Sequence, residues 1–339
     1  MEILLLVTID TEEDNWEPRP GEATVENIRE LPRLDRFLQR FGVRATYFTT
    51  FQVATVPWAA DILRAIRDGG AEIGAHLHPW NTPPTANGPE YGSTMVKNLP
   101  AALQLAKLQR LTAALSDAFG TPPTCFRAGR YGLGPATVGA LQQCGYRVDT
   151  SVTPYVNWED TDNGSNFIGA PLDAYRLGPE RDVRQPDPNG ALLEIPVSAG
   201  YTRSPFSLLD PVRRILASPP LRPLRLAGLA WRAGLIKRTV LNPELHSARD
   251  MLDLSCQLIR RGVRHLNVTW HTPSLRPGLS PFVSTEADRE RFYGSIASYL
   301  EGLARVVSIR FATVTEAAAT LDPRAATSGA VERPPALHR

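Results

Sequence analysis

Strand-sized apolar runs alternate with segments of helical period along most of this chain, and that alternation restricts the fold more than any other feature. ILLLVTID (3–10) is the continuous apolar run expected of a strand buried on both faces. Residues 25–41 put Leu31, Leu34, Phe37, Leu38 and Phe41 on one helical face. ATYFTTFQV (45–53), rich in β-branched and aromatic residues, reads as a second strand. WAADILRAIRDGG (58–70) reads as a helix stopped by Gly69 and Gly70. AEIGAHLH (71–78), TCFRAG (124–129), YRVDTSV (146–152), LLEIPVS (192–198), HLNVTWH (265–271) and VSIRFATV (307–314) read as the other strands. Helical patterns cover 95–119, 135–144, 244–261 and 285–305, and 157–190 is a polar loop. Strands alternating with helices build a parallel sheet, and seven or eight of them in one chain favour a closed or nearly closed, distorted (β/α)7-8 barrel over an open sheet.

Composition narrows the class. With 42% hydrophobic and 21% charged residues the chain has material for a sizeable core, and a net charge of +2 does not suggest nucleic acid as a partner. Cys125, Cys144 and Cys256 are odd in number and form no CxxC, which argues against a disulfide framework and fits a reducing compartment. The opening MEILLLVTID has an acidic second residue and is too short for a signal peptide or a membrane span. The expectation is a cytoplasmic single barrel over 1–321, with a tail, 322–339, that has no period and is read as disordered.

The reactive side chains fall at strand ends. Asp10 ends the first strand, His76 and His78 the third, Arg127 the fourth, Asp149 the fifth and His271 the seventh. In a parallel barrel those ends share one mouth. Two imidazoles and a carboxylate make a facial set for a divalent metal, with positions left open for water and substrate. Zinc suits that set best; iron, cobalt and nickel also fit. His76 and His78 are separated only by Leu77, and on an extended segment residues two apart point to the same side. A second carboxylate beside the metal can take a proton from bound water, and a separate histidine can protonate a leaving group. Asp10 closes an apolar strand, where an unpaired carboxylate is costly.

These pieces, in this order, resemble the polysaccharide deacetylase superfamily, carbohydrate esterase family four and its relatives. TIDTEED (8–14), AHLHPW (75–80), FRAGRYG (126–132), VDTSVTPY (148–155) and VTWHTP (268–273) look like its five motifs, and the resemblance spans roughly residues 1–315. It implies removal of N- or O-acetyl groups from sugar polymers by a metal-bound water on a distorted barrel. It implies Asp10 as base, His271 as general acid tuned by Asp149, and Arg127 holding Asp10. Glu12, His76 and His78 are the implied metal ligands, and the backbone amide at Tyr131 the implied oxyanion donor. Two departures stand out: Thr11 follows Asp10 where the family has a second aspartate, and Trp80 occupies the place of the second histidine of HxxxH.

Other readings remain open for several residues. Trp80, Tyr155 and Trp158 form either a sugar-stacking platform or loop packing. Within Glu12, Glu13 and Asp14, at least two are expected to be a solvated acidic loop; His246 is expected at the surface, and His265, at the start of its strand, has no assigned role. Residues 203–238 form an insertion with eight Lys and Arg against Asp210 alone, a net +7 interleaved with apolar residues and Trp231. It reads as a helical wall of the mouth, with arginines solvated or meeting an anionic sugar, or as a peripheral membrane contact for a lipid-linked substrate. The functional expectation is deacetylation of an exopolysaccharide or surface-glycan precursor. The alternatives are a small-molecule amidohydrolase of the same superfamily and a barrel that binds glycan without turnover.

Overall fold

The computed structural model describes residues 2–14, 23–85 and 92–324. In chain order, β1 (Glu2–Thr11) is followed by a 3-10 turn (Glu26–Glu30), α1 (Leu31–Gln39), β2 (Thr46–Thr49), α2 (Phe51–Thr55), α3 (Pro57–Asp68) and β3 (Glu72–Leu77). Next come α4 (Ala101–Phe119), β4 (Cys125–Ala128), α5 (Pro135–Gln143), β5 (Val148–Asp149), β6 (Tyr175–Leu177), β7 (Leu192–Glu194) and β8 (Ala199–Tyr201). The insertion carries α6 (Phe206–Leu216) and α7 (Leu226–Arg232), and β9 (Arg238–Val240) follows at its end. α8 (Ala248–Arg260), β10 (His265–His271), α9 (Glu286–Ala304), β11 (Ser308–Phe311) and α10 (Val314–Leu321) complete the described chain.

The main sheet runs β10-β1-β2-β3-β4-β5-β7-β6 and is parallel except for the β6–β7 pair. β11 pairs with Glu2–Leu5 of β1 and β2 with Thr8–Thr11, so the two share the edge of β1 opposite β10. Single backbone bonds bridge the remaining gap. Val197 N donates to Val152 O (2.9 Å), Ser198 N to Asn267 O (3.2 Å) and Thr269 N to Leu241 O (2.9 Å). The result is a distorted, incompletely laddered (β/α) barrel, as the strand pattern predicts.

Alternation along each strand divides its side chains between two cores. On β1, Ile3, Leu5, Val7 and Ile9 face the helix layer, while Leu4 and Leu6 join Phe48, Cys125, Val148 and Leu193 inside the barrel. α10 plugs the bottom with Val314, Ala317 and Leu321. Above Leu6 the inward face of β1 turns polar, through Thr8, Asp10 and Glu12, all buried. A barrel floored by apolar residues and lined above by titratable ones concentrates its chemistry at the C-terminal mouth.

Several boundaries differ from the sequence expectation for local reasons. The strand expected over 45–53 ends at Thr49, and α2 is already helical from Phe51. The helix expected over 95–119 is a 3-10 turn (Val96–Asn98) and then α4, because Pro100 keeps Leu99 extended (ψ 154°). The expected loop 157–190 contains β6, which pairs antiparallel to β7. The helix expected from 244 begins at Ala248, where the Ser247 side chain accepts from Asp250 N. β8 and β9 form a small antiparallel pair flanking the insertion, which the sequence pattern did not reveal. At the C-terminus, Arg176 Nε donates to Asp322 (3.1 Å) and Arg324 Nη2 to Pro188 O (2.8 Å), while 325–339, with His338, lie outside the described residues.

Candidate active site

Strand register brings the candidate residues together. Asp10 lies beside His271 in the β1–β10 ladder, and His76 beside Arg127 in the β3–β4 ladder. Asp10 and Glu12 are two residues apart at the end of β1, and His76 and His78 at the end of β3, so each pair faces inward. Glu12 Oε2 lies 3.7 Å from His76 Nε2 and 3.3 Å from His78 Nε2. One ligand atom from each of the three lies within 4.8 Å of the others, and all three residues are buried.

The outer nitrogens of both rings are fixed. His76 Nδ1 sits 3.0 Å from Arg127 O, a carbonyl that can only accept, so Nδ1 carries a proton and Nε2 is the ring nitrogen turned toward Glu12. His78 Nδ1 sits 2.8 Å from Glu13 Oε1, and Asn81 Nδ2 donates to the same oxygen. The donor chemistry fits a divalent metal: two Nε2 lone pairs and a carboxylate converge, each imidazole oriented by an acceptor behind it. Burial pushes the Glu12 carboxyl up, but His271, His76 and His78 outweigh it and hold Glu12 well below the usual range. Burial lowers His78, but Glu13 and Glu12 outweigh it and lift the ring to about 10. A cation on Nε2 therefore competes with a proton.

Glu13 and Asp14 are not a solvated acidic loop. Glu13 is buried behind His78. Asp14 accepts from Thr24 Oγ1 (2.6 Å), Glu26 N (2.8 Å), Asn27 N (2.9 Å) and Asn27 Nδ2 (2.7 Å), tying the end of β1 to the start of the helical layer.

Arg127 is fully buried and uses all five N–H donors. Nε donates to Thr150 O (3.1 Å), Nη1 to Asp10 Oδ1 (2.8 Å) and Thr269 Oγ1 (2.7 Å), and Nη2 to Thr8 Oγ1 (2.7 Å) and Thr150 Oγ1 (2.7 Å). Burial raises the Asp10 carboxyl, but Arg127, His76 and His271 outweigh it and keep Asp10 ionised. The other Asp10 oxygen lies 3.7 Å from His271 Nε2.

The carboxylate on His271 is Glu244, which the sequence reading did not single out, and not Asp149. Glu244 Oε2 is 2.8 Å from His271 Nδ1, and Glu244 Oε1 accepts from His271 N (3.2 Å) and from the Ser274 hydroxyl. Burial lowers His271, but Glu244, Glu12 and Asp10 outweigh it and lift it to about 10. Asp149 fails to reach because alternation on β5 puts Val148 inside the barrel and Asp149 on the other face. There it accepts from Ser151 N (2.9 Å) and Ser151 Oγ (2.8 Å) and pairs with Glu194, whose carboxyl burial and the neighbouring Asp149 push up.

A cavity of about 720 Å³ opens above these groups, walled by Trp80, Arg130, Tyr131, Trp158, Trp231 and Phe282 among others. Trp80 stacks on His78 (4.2 Å), and Tyr131 stacks on Trp158 (6.0 Å). Arg130 and Tyr131 both hold positive φ, 52° and 56°, a strained turn over the site. Gly129 is required there, because a Cβ would meet the His78 ring at 2.5 Å. Tyr155, a candidate for the sugar platform, is not among the lining residues; its ring packs against Tyr201 and Phe206. His246, expected at the surface, lines the cavity half-buried, and burial lowers it to about 4. His265 is fully buried, with Nε2 3.1 Å from Pro196 O.

The loop that carries Trp80 and Asn81 is held from below. Lys107 Nζ, on α4, donates to Pro79 O (2.9 Å), Thr82 O (2.6 Å) and Pro84 O (2.7 Å), and burial lowers this ammonium to about 8, still charged at neutral pH. Lys107→Met is expected to leave three carbonyls without their donor and to destabilise the fold by on the order of 3 kcal/mol, read by denaturant unfolding. An unchanged midpoint would mean that water replaces the ammonium at no cost.

A family model described as polysaccharide deacetylase matches residues 29–148, which include the His76/His78 and Arg127 segments. No curated protein is a sequence match to this chain. Among solved structures, a Mycobacterium smegmatis protein described as a polysaccharide deacetylase superimposes with a TM-score of 0.54 at 19% identity, over 99% of this chain and 93% of that one. A family 4 acetyl xylan esterase from Clostridium thermocellum, in complex with cobalt, gives 0.43 at 13% identity, over 94% of this chain and 91% of its own. The chitin deacetylase of Colletotrichum lindemuthianum gives 0.42 at 15% identity, over 92% and 86%. The last two overlays are too loose to add weight. Residues 29–148 thus match the polysaccharide deacetylase family model, and the mycobacterial protein shares the barrel fold.

Proposed function

We propose that this protein is a metal-dependent hydrolase that removes acetyl groups, N- or O-linked, from a carbohydrate such as an exopolysaccharide or surface-glycan precursor. The observation that carries this reading is the convergence on one cavity of a metal-type donor set, Glu12, His76 and His78, with an ionised carboxylate, Asp10, and a protonated imidazole, His271. Glu12, His76 and His78 would hold a divalent ion, zinc by preference, which when bound would acidify a water and polarise the carbonyl.

The chain's own residues do the rest. Arg127 keeps Asp10 ionised and fixes one of its oxygens, leaving Oδ2 to take a proton from the attacking water. His271 Nε2, 3.7 Å from that oxygen, gives a proton to the departing sugar nitrogen or oxygen, so base and acid serve one reacting centre. Glu244 fixes the Nδ1–H tautomer of His271 and favours its charged form. Trp80, Tyr131 and Trp158 present aromatic faces suited to the apolar face of a sugar ring, and the backbone amide at Tyr131 is the candidate donor to the oxyanion.

Acetate release from acetylated oligosaccharides by the purified chain tests the reading; release of ammonia from small amides in its place would move it to the amidohydrolase alternative. Turnover on both classes of substrate absent, with the ion bound, would leave a glycan-binding barrel. Glu244→Gln is expected to lower kcat and to move the alkaline limb of the pH–rate profile to lower pH. The sign follows from the acid role: activity is present below the His271 pKa and lost as pH rises through it, and Glu244 is what raises that pKa most. An alkaline limb that stays in place would remove Glu244 from the proton transfer.

A further inference from the structure

Away from the catalytic groups, exposed apolar surface is concentrated in one segment. Among the described residues, six of the eight large hydrophobic side chains that stand exposed lie in 203–238: Leu208, Ile215, Leu224, Leu229, Trp231 and Leu235, from 44% (Trp231) to 60% (Ile215) exposed. α7 is mostly apolar, yet none of its residues is buried. α6 buries only Phe206 and Asp210. A helix with an apolar stripe ordinarily covers it against the core, and uncovered patches mark interaction sites.

The charge of the same segment is one-sided. Within the segment eight Lys and Arg are offset by Asp210 alone, a net +7, while the rest of the chain carries −5; in the fold Lys237 also pairs with Asp250 outside it (2.6 Å). Arg203, Arg214, Arg225 and Arg232 are exposed between the apolar side chains. A second copy of the chain would bring +7 against +7. A protein partner would need fixed pockets for its anchoring side chains. From 211 to 238 no described side chain is buried, Pro219, Pro220 and Pro223 divide the segment, and the cavity it helps to wall is the one above the catalytic groups. A bilayer interface needs only depth for Leu, Ile and Trp and phosphates for the guanidinium groups.

We propose that α6 and α7 dock this protein on the surface of an anionic membrane. No helix among the described residues is long and apolar enough to cross one, so the contact lies in the interface. Its position connects it to the site: Arg213, Ala227, Gly228, Trp231 and Ile236 of the same segment wall the catalytic cavity, and docking sets the cavity mouth beside the headgroups. The proposal is independent of the reaction assigned above, because binding is read without turnover.

Co-sedimentation of the full chain with vesicles of mixed phosphatidylcholine and phosphatidylglycerol, against pure phosphatidylcholine, tests it. The expected result is binding to the mixed vesicles that falls with added salt. Arg225→Gln and Arg232→Gln each weaken it roughly fivefold. Leu224→Ser with Leu229→Ser weakens it by about tenfold or more without moving the unfolding midpoint, since both leucines are exposed. No binding to the mixed vesicles overturns the proposal. So does binding indifferent to all four substitutions, or a solution dimer that Leu229→Ser dissolves.

Discussion

Asp10→Asn is expected to lower kcat by roughly a hundred- to ten-thousand-fold, the range for loss of a positioned general base, with metal content close to that of the parent and a lower unfolding midpoint, because the buried Arg127 loses its counter-charge. Asparagine keeps the size of the side chain and an oxygen for Arg127 Nη1, so the packing around 2.8 Å from Oδ1 to Nη1 is preserved. What it removes is the second oxygen's capacity to take a proton beside His271. Steady-state kinetics on an acetylated oligosaccharide, with elemental analysis of the same preparation, checks both halves. A variant that retained full kcat would show that the attacking water loses its proton elsewhere.

Arg127→Met is expected to cost stability as well as activity. The guanidinium is the hub of the barrel interior: it holds Asp10, the hydroxyls of Thr8, Thr150 and Thr269 and the carbonyl of Thr150, and it stacks on the Phe48 ring (4.6 Å). Removing one partner of a buried ion pair leaves the other charge uncompensated, at about 3–5 kcal/mol. Adding Asp10→Asn removes that stranded charge, so the double variant is expected to be less destabilised than the two single effects added together. Denaturant unfolding of the three variants measures the coupling; strict additivity would mean that Asp10 and Arg127 do not sense each other.

Much of the barrel was legible because its strands obey simple patterns. β1 carries apolar residues on both faces and β10 ends in a histidine followed by Thr272 and Pro273, so both strand ends could be placed from the sequence. The inward pairing of His76 and His78 follows from the two-residue repeat of a strand, which also places Asp10 and Glu12 on one side. Glu13 was misread for the same reason in reverse: it points away from the mouth, and only the fold shows that His78 and Asn81 lie behind it.

Glu244 was hidden by its setting. Asn242 and Pro243 precede it, and an Asx-type bond from Glu244 N to Asn242 Oδ1 (2.7 Å) turns the chain before α8, whereas the helical pattern was extended back to 244. Its partners, His271 and Ser274, lie beyond α8 and are joined to it only by the closing of the barrel. Asp149 was favoured by position in a motif, but β5 has two residues and its alternation turns that carboxyl outward. Tyr155 could not be placed because its neighbours, Tyr201 at the end of β8 and Phe206 in the insertion, meet it through packing that no local period describes.

The central claim is that Glu12, His76 and His78 hold one divalent ion in the barrel mouth. Elemental analysis of the chain after equilibration with zinc, beside Glu12→Gln, His76→Ala and His78→Ala, tests it most directly. The account predicts one ion per parent chain and loss of it in each variant, with the unfolding transition still cooperative; full occupancy in all three variants would contradict it.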